Sequence, residues 1–170
     1  MKQKRTRSAK HESNRALYFS NVEALSGLGL LSPDAVRADK LREVLSRLYE
    51  YNIGIPIVVE GRKDIAALRK LGFHGELIAL HSFRGFYDFS EAMHERYEKL
   101  VLLLDWDEKG DALQSQVGEL LKGLWEDAAP LRESLRNLCQ KDIQDIQSLP
   151  TLMERIAGTN DVVFSNSEGG

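Results

Sequence analysis

The sequence predicts an α/β fold: an open, mainly parallel sheet of about four strands, with helices on both faces and helical extensions toward each end. Three observations lead there. Strand-like and helix-like segments alternate through the middle of the 170 residues. The two clearest strand segments, IPIVV at 55–59 and LVLLL at 100–104, are unbroken apolar runs, as buried parallel strands require. A hydrophobic fraction of 42% beside 29% charged residues is the composition of a chain that buries a core.

The elements follow in order. Residues 33–50 read as a helix, with Ser32 as cap, Pro33 at the first helical position, and Leu41, Val44, Leu45 and Leu48 at helical spacing. IPIVV is the first strand because β-branched residues suit a buried sheet. A helix over 63–71 stops at Gly72, and residues 76–81 form the second strand. An aromatic, glycine-containing loop at 82–89 leads to Ser90, which caps a helix to about Tyr97. Residues 99–105 are the third strand, and Leu113, Val117, Leu120, Leu121 and Leu124 define a helix over 111–125. Residues 130–135 are a candidate last strand, and 142–156 a helix broken at Pro150. The chain thus divides into a basic arm (1–15), a helical lead-in (16–52), the sheet region (53–135), a helical extension (136–164) and a polar tail (165–170).

Composition excludes several classes. The single Cys139 forms no internal disulfide and no cysteine-based zinc site, and reads as a buried small hydrophobe. No apolar run approaches the length of a membrane span, and no apolar core follows the basic start, so a soluble, cytoplasmic protein without a signal peptide is expected. The net charge of −3 is uneven: Lys2, Lys4, Arg5, Arg7, Lys10 and Arg15 against Glu12 give the first fifteen residues +5, leaving −8 for the rest. Such an arm either touches nucleic-acid phosphates or is a disordered, solvated terminus.

In an open parallel sheet, ligands bind beyond the carboxyl ends of the strands. Both apolar strands end there in acid: IPIVV runs into Glu60-Gly61, and LVLLL into Asp105-Trp106-Asp107. If the strands are neighbours, three carboxylates converge and need a cation to offset their repulsion; oxygen ligands suit Mg²⁺. Gly61 permits close backbone approach, and Gly110 does the same before the helix. The competing reading makes Asp107 and Asp111 helix-start residues and Asp64 a helix-dipole partner. Arg62, Lys63, Arg84 and Lys109 fall near the same edge and are candidate phosphate contacts, with solvated surface charge the alternative. Trp106 reads as packing, with base stacking the alternative. His74, His81 and His94 match no metal-ligand spacing.

The chain lacks the GxxxxGK[ST] loop of nucleotide hydrolases, and Lys109 stands where phosphoaspartate-forming hydrolases want Thr or Val. VVEGRKDIAAL at 58–68 followed by LVLLLDWDEKGDAL at 100–113 resembles the Toprim domain of topoisomerases, bacterial-type primases and small nucleases. Glu-Gly after the first strand and DxD after the third fall on Glu60-Gly61 and Asp105/Asp107. The resemblance covers about residues 53–135. The lead-in LREVL and the tail RESLRNLCQKDIQDIQSL are similar to the small stand-alone archaeal Toprim proteins, and more distantly the chain resembles the bacterial nucleases that mature 5S ribosomal RNA. The resemblance implies that Glu60, Asp105 and Asp107 are the catalytic, metal-binding residues, with Glu60 also a candidate general acid or base. One or two Mg²⁺ ions are expected, with Mn²⁺ able to substitute. It leaves no room for a topoisomerase's tyrosine domain or a primase's zinc module. The expected function is phosphodiester cleavage or phosphoryl transfer on nucleic acid, RNA before DNA. The alternatives are a non-catalytic nucleic-acid-binding or assembly subunit and a receiver-like signalling domain.

Overall fold

The computed structural model describes residues 31–157 together with 24, 25 and 27–29. The basic arm at 1–15 and the tail at 165–170 lie outside the described residues. Helix α1 (Pro33–Asn52) begins where the sequence places it, with Ser32 Oγ accepting the Ala35 N–H at 3.1 Å. Then come β1 (Ile57–Val59), α2 (Arg62–Lys70), β2 (Leu77–Ala79) with a 3₁₀ turn at Leu80–Ser82, α3 (Phe86–Arg96) and β3 (Val101–Leu102). Helix α4 (Glu108–Leu120), a 3₁₀ turn at Glu126–Ala128, α5 (Ala129–Cys139) and α6 (Leu149–Ala157) complete the described chain. None of these helices is long and apolar enough to cross a membrane.

The three strands form one open, all-parallel sheet in the order β2-β1-β3. Ile57 pairs with Leu77 and Val101, so β1 is central. Successive residues feed opposite faces. Ile57, Val59, Val101 and Leu103 enter a core with α1, α2, α5 and α6; Val58, Leu100, Leu102 and Leu104 enter a second core with α3 and α4. This is why both runs are continuously apolar: neither face of the sheet meets water. The extensions share the first core, since Leu41, Leu45 and Leu48 of α1 and Leu149 and Leu152 of α6 pack with the sheet residues.

Four sequence expectations are corrected. Residues 130–135 are helical, not a fourth strand: Leu131, Leu135 and Cys139 recur every fourth residue on the buried face of α5, and Pro130 sits in the first turn, where its missing N–H costs nothing. Among the described residues no strand follows β3. Helix α3 starts at Phe86, within the expected loop. Ser90 is buried mid-helix with its hydroxyl donating to the Tyr87 carbonyl at 3.0 Å, and Gly85 takes the cap position. Helix α4 runs from Glu108 to Leu120, capped by Asp107; Gly123 then turns the chain at φ 94°, and the Trp125 indole folds back to donate to the Gly118 carbonyl at 2.9 Å. Pro150 begins α6 instead of breaking a longer helix, and residues before Leu149 are irregular.

The other end of the sheet is fixed by Asn52, the buried last residue of α1. Its Nδ2 donates to the Ile55 carbonyl at 3.2 Å and the Glu76 carbonyl at 2.9 Å, holding the starts of β1 and β2 together. Gly75 packs so closely against Asn52 that a Cβ there overlaps the Asn52 carbonyl oxygen. Gly75→Ala should therefore cost about 1–3 kcal/mol in urea unfolding, the usual range for overpacking a tight site; an unchanged midpoint would show that the junction yields freely.

Candidate functional site

Because β1 is central, the crossover through α2 leaves β1 toward one side, and the crossover through α3 returns the chain to the other. The switch point at which open parallel sheets bind ligands therefore falls between the carboxyl ends of β1 and β3. Glu60 stands at the end of β1 and Asp105 just beyond β3. The strand ends are held in register: the Leu103 N–H donates to the Val58 carbonyl at 2.8 Å, and the His81 N–H to the Glu60 carbonyl at 3.0 Å.

The Glu60 side chain is only 12% exposed. Its Oε1 is buried with no hydrogen-bond partner among the described residues, and its Oε2 lies 4.0 Å from His81 Nε2. Burial pushes its carboxyl above the ordinary range; Lys109 opposes this, while Asp107 and Asp64 push further upward. Asp105 is driven harder, to about 7, first by burial and then by the fields of Asp64, Glu60 and Asp145. One donor resists that rise: the Ile146 N–H, 3.0 Å from Asp105 Oδ1. Asp64 is buried at the start of α2, where its Oδ2 accepts the Gly61 N–H at 3.0 Å; burial raises its carboxyl too.

The sequence-nominated acids thus share one edge, in different states. Asp107 turns its Oδ1 to the Gly110 N–H at 2.6 Å as the cap of α4. Asp105 turns its Oδ1 to Ile146. Among the described residues no three His, Cys, Asp or Glu side chains converge as a finished ligand set. The acids at this edge nevertheless offer partly desolvated carboxylate oxygens, with an orphaned buried one at Glu60 among them. That chemistry fits a hard divalent cation held by Glu60 and Asp105, with Asp64, Asp107 and Asp145 around it. Arg62, Lys63, Arg84 and Lys109 are all exposed at the starts of α2, α3 and α4, and none makes an ion pair among the described residues. By contrast Arg37, Lys99, Arg136 and Arg155 are each paired with a carboxylate.

The two nominated glycines separate. A Cβ at Gly61 meets only His81 Cδ2 at 3.9 Å, so the space before it is open. Gly110 is required by packing: a Cβ there overlaps the Asp105 carbonyl oxygen, because α4 starts directly against the end of β3. Trp106 is buried, 3% exposed, with Nε1 donating to the Ile143 carbonyl at 2.8 Å, so it packs and offers no stacking face.

Two parts of the site have no signature in the sequence. The irregular segment 143–146 is stitched to the end of β3 through Ile143, Gln144 and Ile146, which places Asp145 near Asp105 and Asp64. The Ile146 contact spans 41 residues, so no local spacing reveals it. Arg132, only 3% exposed, lies beneath the edge. Its Nε donates to the Leu104 carbonyl at 2.9 Å, and its Nη2 to the Asp105 carbonyl and to Asp111 Oδ1. In an amphipathic helix an arginine reads as exposed; only the position of β3 shows what it holds.

Fold and site together define a small α/β protein whose open parallel sheet carries a cluster of acids at its switch point, with exposed cations at the starts of the helices on the same edge. No family model matches the sequence. The chain belongs to the UPF0292 family. It is 32% identical over 136 residues to a UPF0292 protein of Methanosarcina acetivorans, spanning 78% of this chain and 92% of that one. A UPF0292 protein of Thermoplasma volcanium is 33% identical over 114 residues, spanning 66% and 93%. Among solved structures, a putative protein from Aquifex aeolicus is similar at a TM-score of 0.51 and 27% identity, covering 62% of this chain and 94% of that chain.

Two predictions follow from the site's internal structure. Replacing Arg132 by Met leaves two buried carbonyls without their donor and should cost about 1–3 kcal/mol by chemical denaturation; full stability would show that Arg132 bears none of the strand end. The second concerns pH. The Asp105 carboxyl has its ordinary value of 3.8 unfolded and about 7 folded, so the native state binds the proton more tightly. This group's contribution is complete below pH 4 and is lost as pH rises through 7. Asp105→Asn keeps the Oδ1 acceptor for Ile146 but never charges. In the absence of divalent metal its melting temperature should exceed that of wild type at pH 8 by more than at pH 5. An equal difference at both pH values would remove the strained carboxylate from the account.

Proposed function

We propose that this chain is a cytoplasmic, Mg²⁺-dependent enzyme of Toprim type that cleaves or transfers phosphodiesters of nucleic acid, RNA before DNA. The observation that carries this reading is the buried, unpartnered Glu60 Oε1 at the switch point, in a neighbourhood where the fields of Asp107 and Asp64 raise its carboxyl against those of Lys109 and His81. The exposed cations at the same edge and the Glu-Gly and DxD motifs of the Toprim resemblance support it.

Glu60 and Asp105 would hold the cation, Glu60 through its orphaned oxygen and Asp105 through Oδ2, since Oδ1 is engaged by Ile146. A divalent ion there supplies Lewis-acid stabilisation of the charge that develops on a phosphodiester. Burial raises the Glu60 carboxyl above its ordinary range, which suits it to accept or return a proton. Asp107 fixes the start of α4 through its cap, so that Lys109 projects from the first turn of that helix. Lys109, Arg62, Lys63 and Arg84 then neutralise phosphates and set where the strand lies.

Purified protein incubated with single-stranded RNA, structured RNA and DNA should cut RNA when Mg²⁺ or Mn²⁺ is present and not with chelator. Glu60→Gln should slow cutting by at least about a hundredfold, the scale of losing a general acid–base group. Millimolar Mg²⁺ should also raise the melting temperature of wild type and raise it less for Glu60→Gln, because binding to the native state alone stabilises it. Binding of RNA with no metal-dependent cutting would make the chain a binding subunit, and no response to metal or RNA would remove the reading altogether.

A further inference from the structure

We infer that the loop and first turn leading into α3, carrying Arg84 and Tyr87, form a stacking platform for a single-stranded segment of nucleic acid entering the site of Glu60 and Asp105. This deepens the proposed function and rests on it, since it names the form of substrate which that site takes.

The aromatic run at 83–89 divides into two kinds of ring. Phe89 is fully buried, Phe83 stands edge-on to it with ring centroids 5.1 Å apart, and Phe83 and Phe86 pack against the second core. Tyr87 does the opposite: it is 75% exposed. An outward tyrosine on a turn that already anchors three phenylalanines gains no burial from its ring. Its position is informative because this turn follows directly from β2, the strand beside β1, at the carboxyl edge. The link is short and fixed: the His81 N–H donates to the Glu60 carbonyl, the Ser82 hydroxyl donates to the Ala79 carbonyl at 2.6 Å, and the Phe83 N–H donates to the Leu80 carbonyl at 3.2 Å. Tyr87 therefore rises from a rigid base on the rim that carries Glu60. Arg84, exposed and unpaired among the described residues, precedes it, and Gly85 between them leaves open space where a Cβ would stand.

Charge selects a single strand over a duplex. Outside residues 1–15 the chain carries −8, and the nominated cations at this edge are four, at the starts of three helices. That suits one phosphate backbone; a duplex would press its second backbone against an acidic body. A flat, rigid ring beside a phosphate-binding cation is the pairing that holds splayed bases with little sequence preference. The sequence offered Trp106 for this role, and its burial leaves the role to Tyr87.

The test is fluorescence anisotropy with a labelled oligouridylate and a blunt RNA duplex of equal length, in Ca²⁺ to suppress cutting. Tyr87→Ala should weaken single-strand binding roughly 5- to 150-fold, the range that one base–aromatic stack supplies. Tyr87→Phe should restore it, and Tyr87→Trp should show indole quenching on binding. Arg84→Ala should flatten the salt slope by about one unit. If wild type binds the single strand and Tyr87→Ala binds it equally well, the platform is wrong while the proposed function stands. If the duplex is bound as tightly as the single strand, the platform is also overturned. If wild type binds neither RNA, the functional reading falls and the platform with it.

Discussion

Everything at the edge of this sheet depends on one constraint: β1 is flanked on both sides by parallel strands whose connections depart in opposite directions. A chain that crosses to β2 over one face and returns to β3 over the other cannot cover the gap between the carboxyl ends of β1 and β3. The residues that follow those strands must line that gap. Here they are Glu60 and Asp105, and the apolar layers beneath hold them out of bulk water. The raised carboxyls are the electrostatic consequence of that placement.

Holding charge in such a place needs structure behind it. Arg132 takes the Leu104 and Asp105 carbonyls from below, Gly110 lets α4 start against the Asp105 carbonyl, and segment 143–146 donates its Ile146 N–H to Asp105 while its Ile143 and Gln144 carbonyls accept from Trp106. Arg132 and Arg136 meet at Asp111, which couples α5 to the first turn of α4. The C-terminal extension is thereby part of the site, through backbone groups of 143–146 whose side-chain identity does not matter to the bond. The match to the Methanosarcina UPF0292 relative runs over 136 residues, more than the sheet region alone.

Much of this was legible in the residues, and the divisions are physical. Unbroken apolar runs with acids at their ends identified β1, β3 and the edge, because burial on both faces leaves no other pattern. Proline and serine marked the start of α1 because capping is local. The start of α3 was hidden: with glycine at its cap, only the packing of Phe86 and Phe89 onto the second core defines the first turn. Residues 130–135 carry the apolar content of a short strand, but Leu131, Leu135 and Cys139 recur at the helical period, and the period decides. Arg132, Asp145 and the Ile146 N–H act across long sequence separations, so nothing near them in the chain announces what they touch. The exposure of Tyr87 is likewise a property of the folded turn and has no local signature.

The central proposal is that Glu60 and Asp105 hold a divalent cation at the carboxyl edge of the sheet. Anomalous diffraction from crystals of the full chain grown with Mn²⁺, collected at the manganese edge, tests it most directly. The account predicts a peak at the carboxyl edge of the sheet within coordination distance of carboxylate oxygens from both Glu60 and Asp105. No peak at that edge, in crystals where Mn²⁺ is seen elsewhere or with the space between Glu60 and Asp105 filled by ordered water alone, would contradict it.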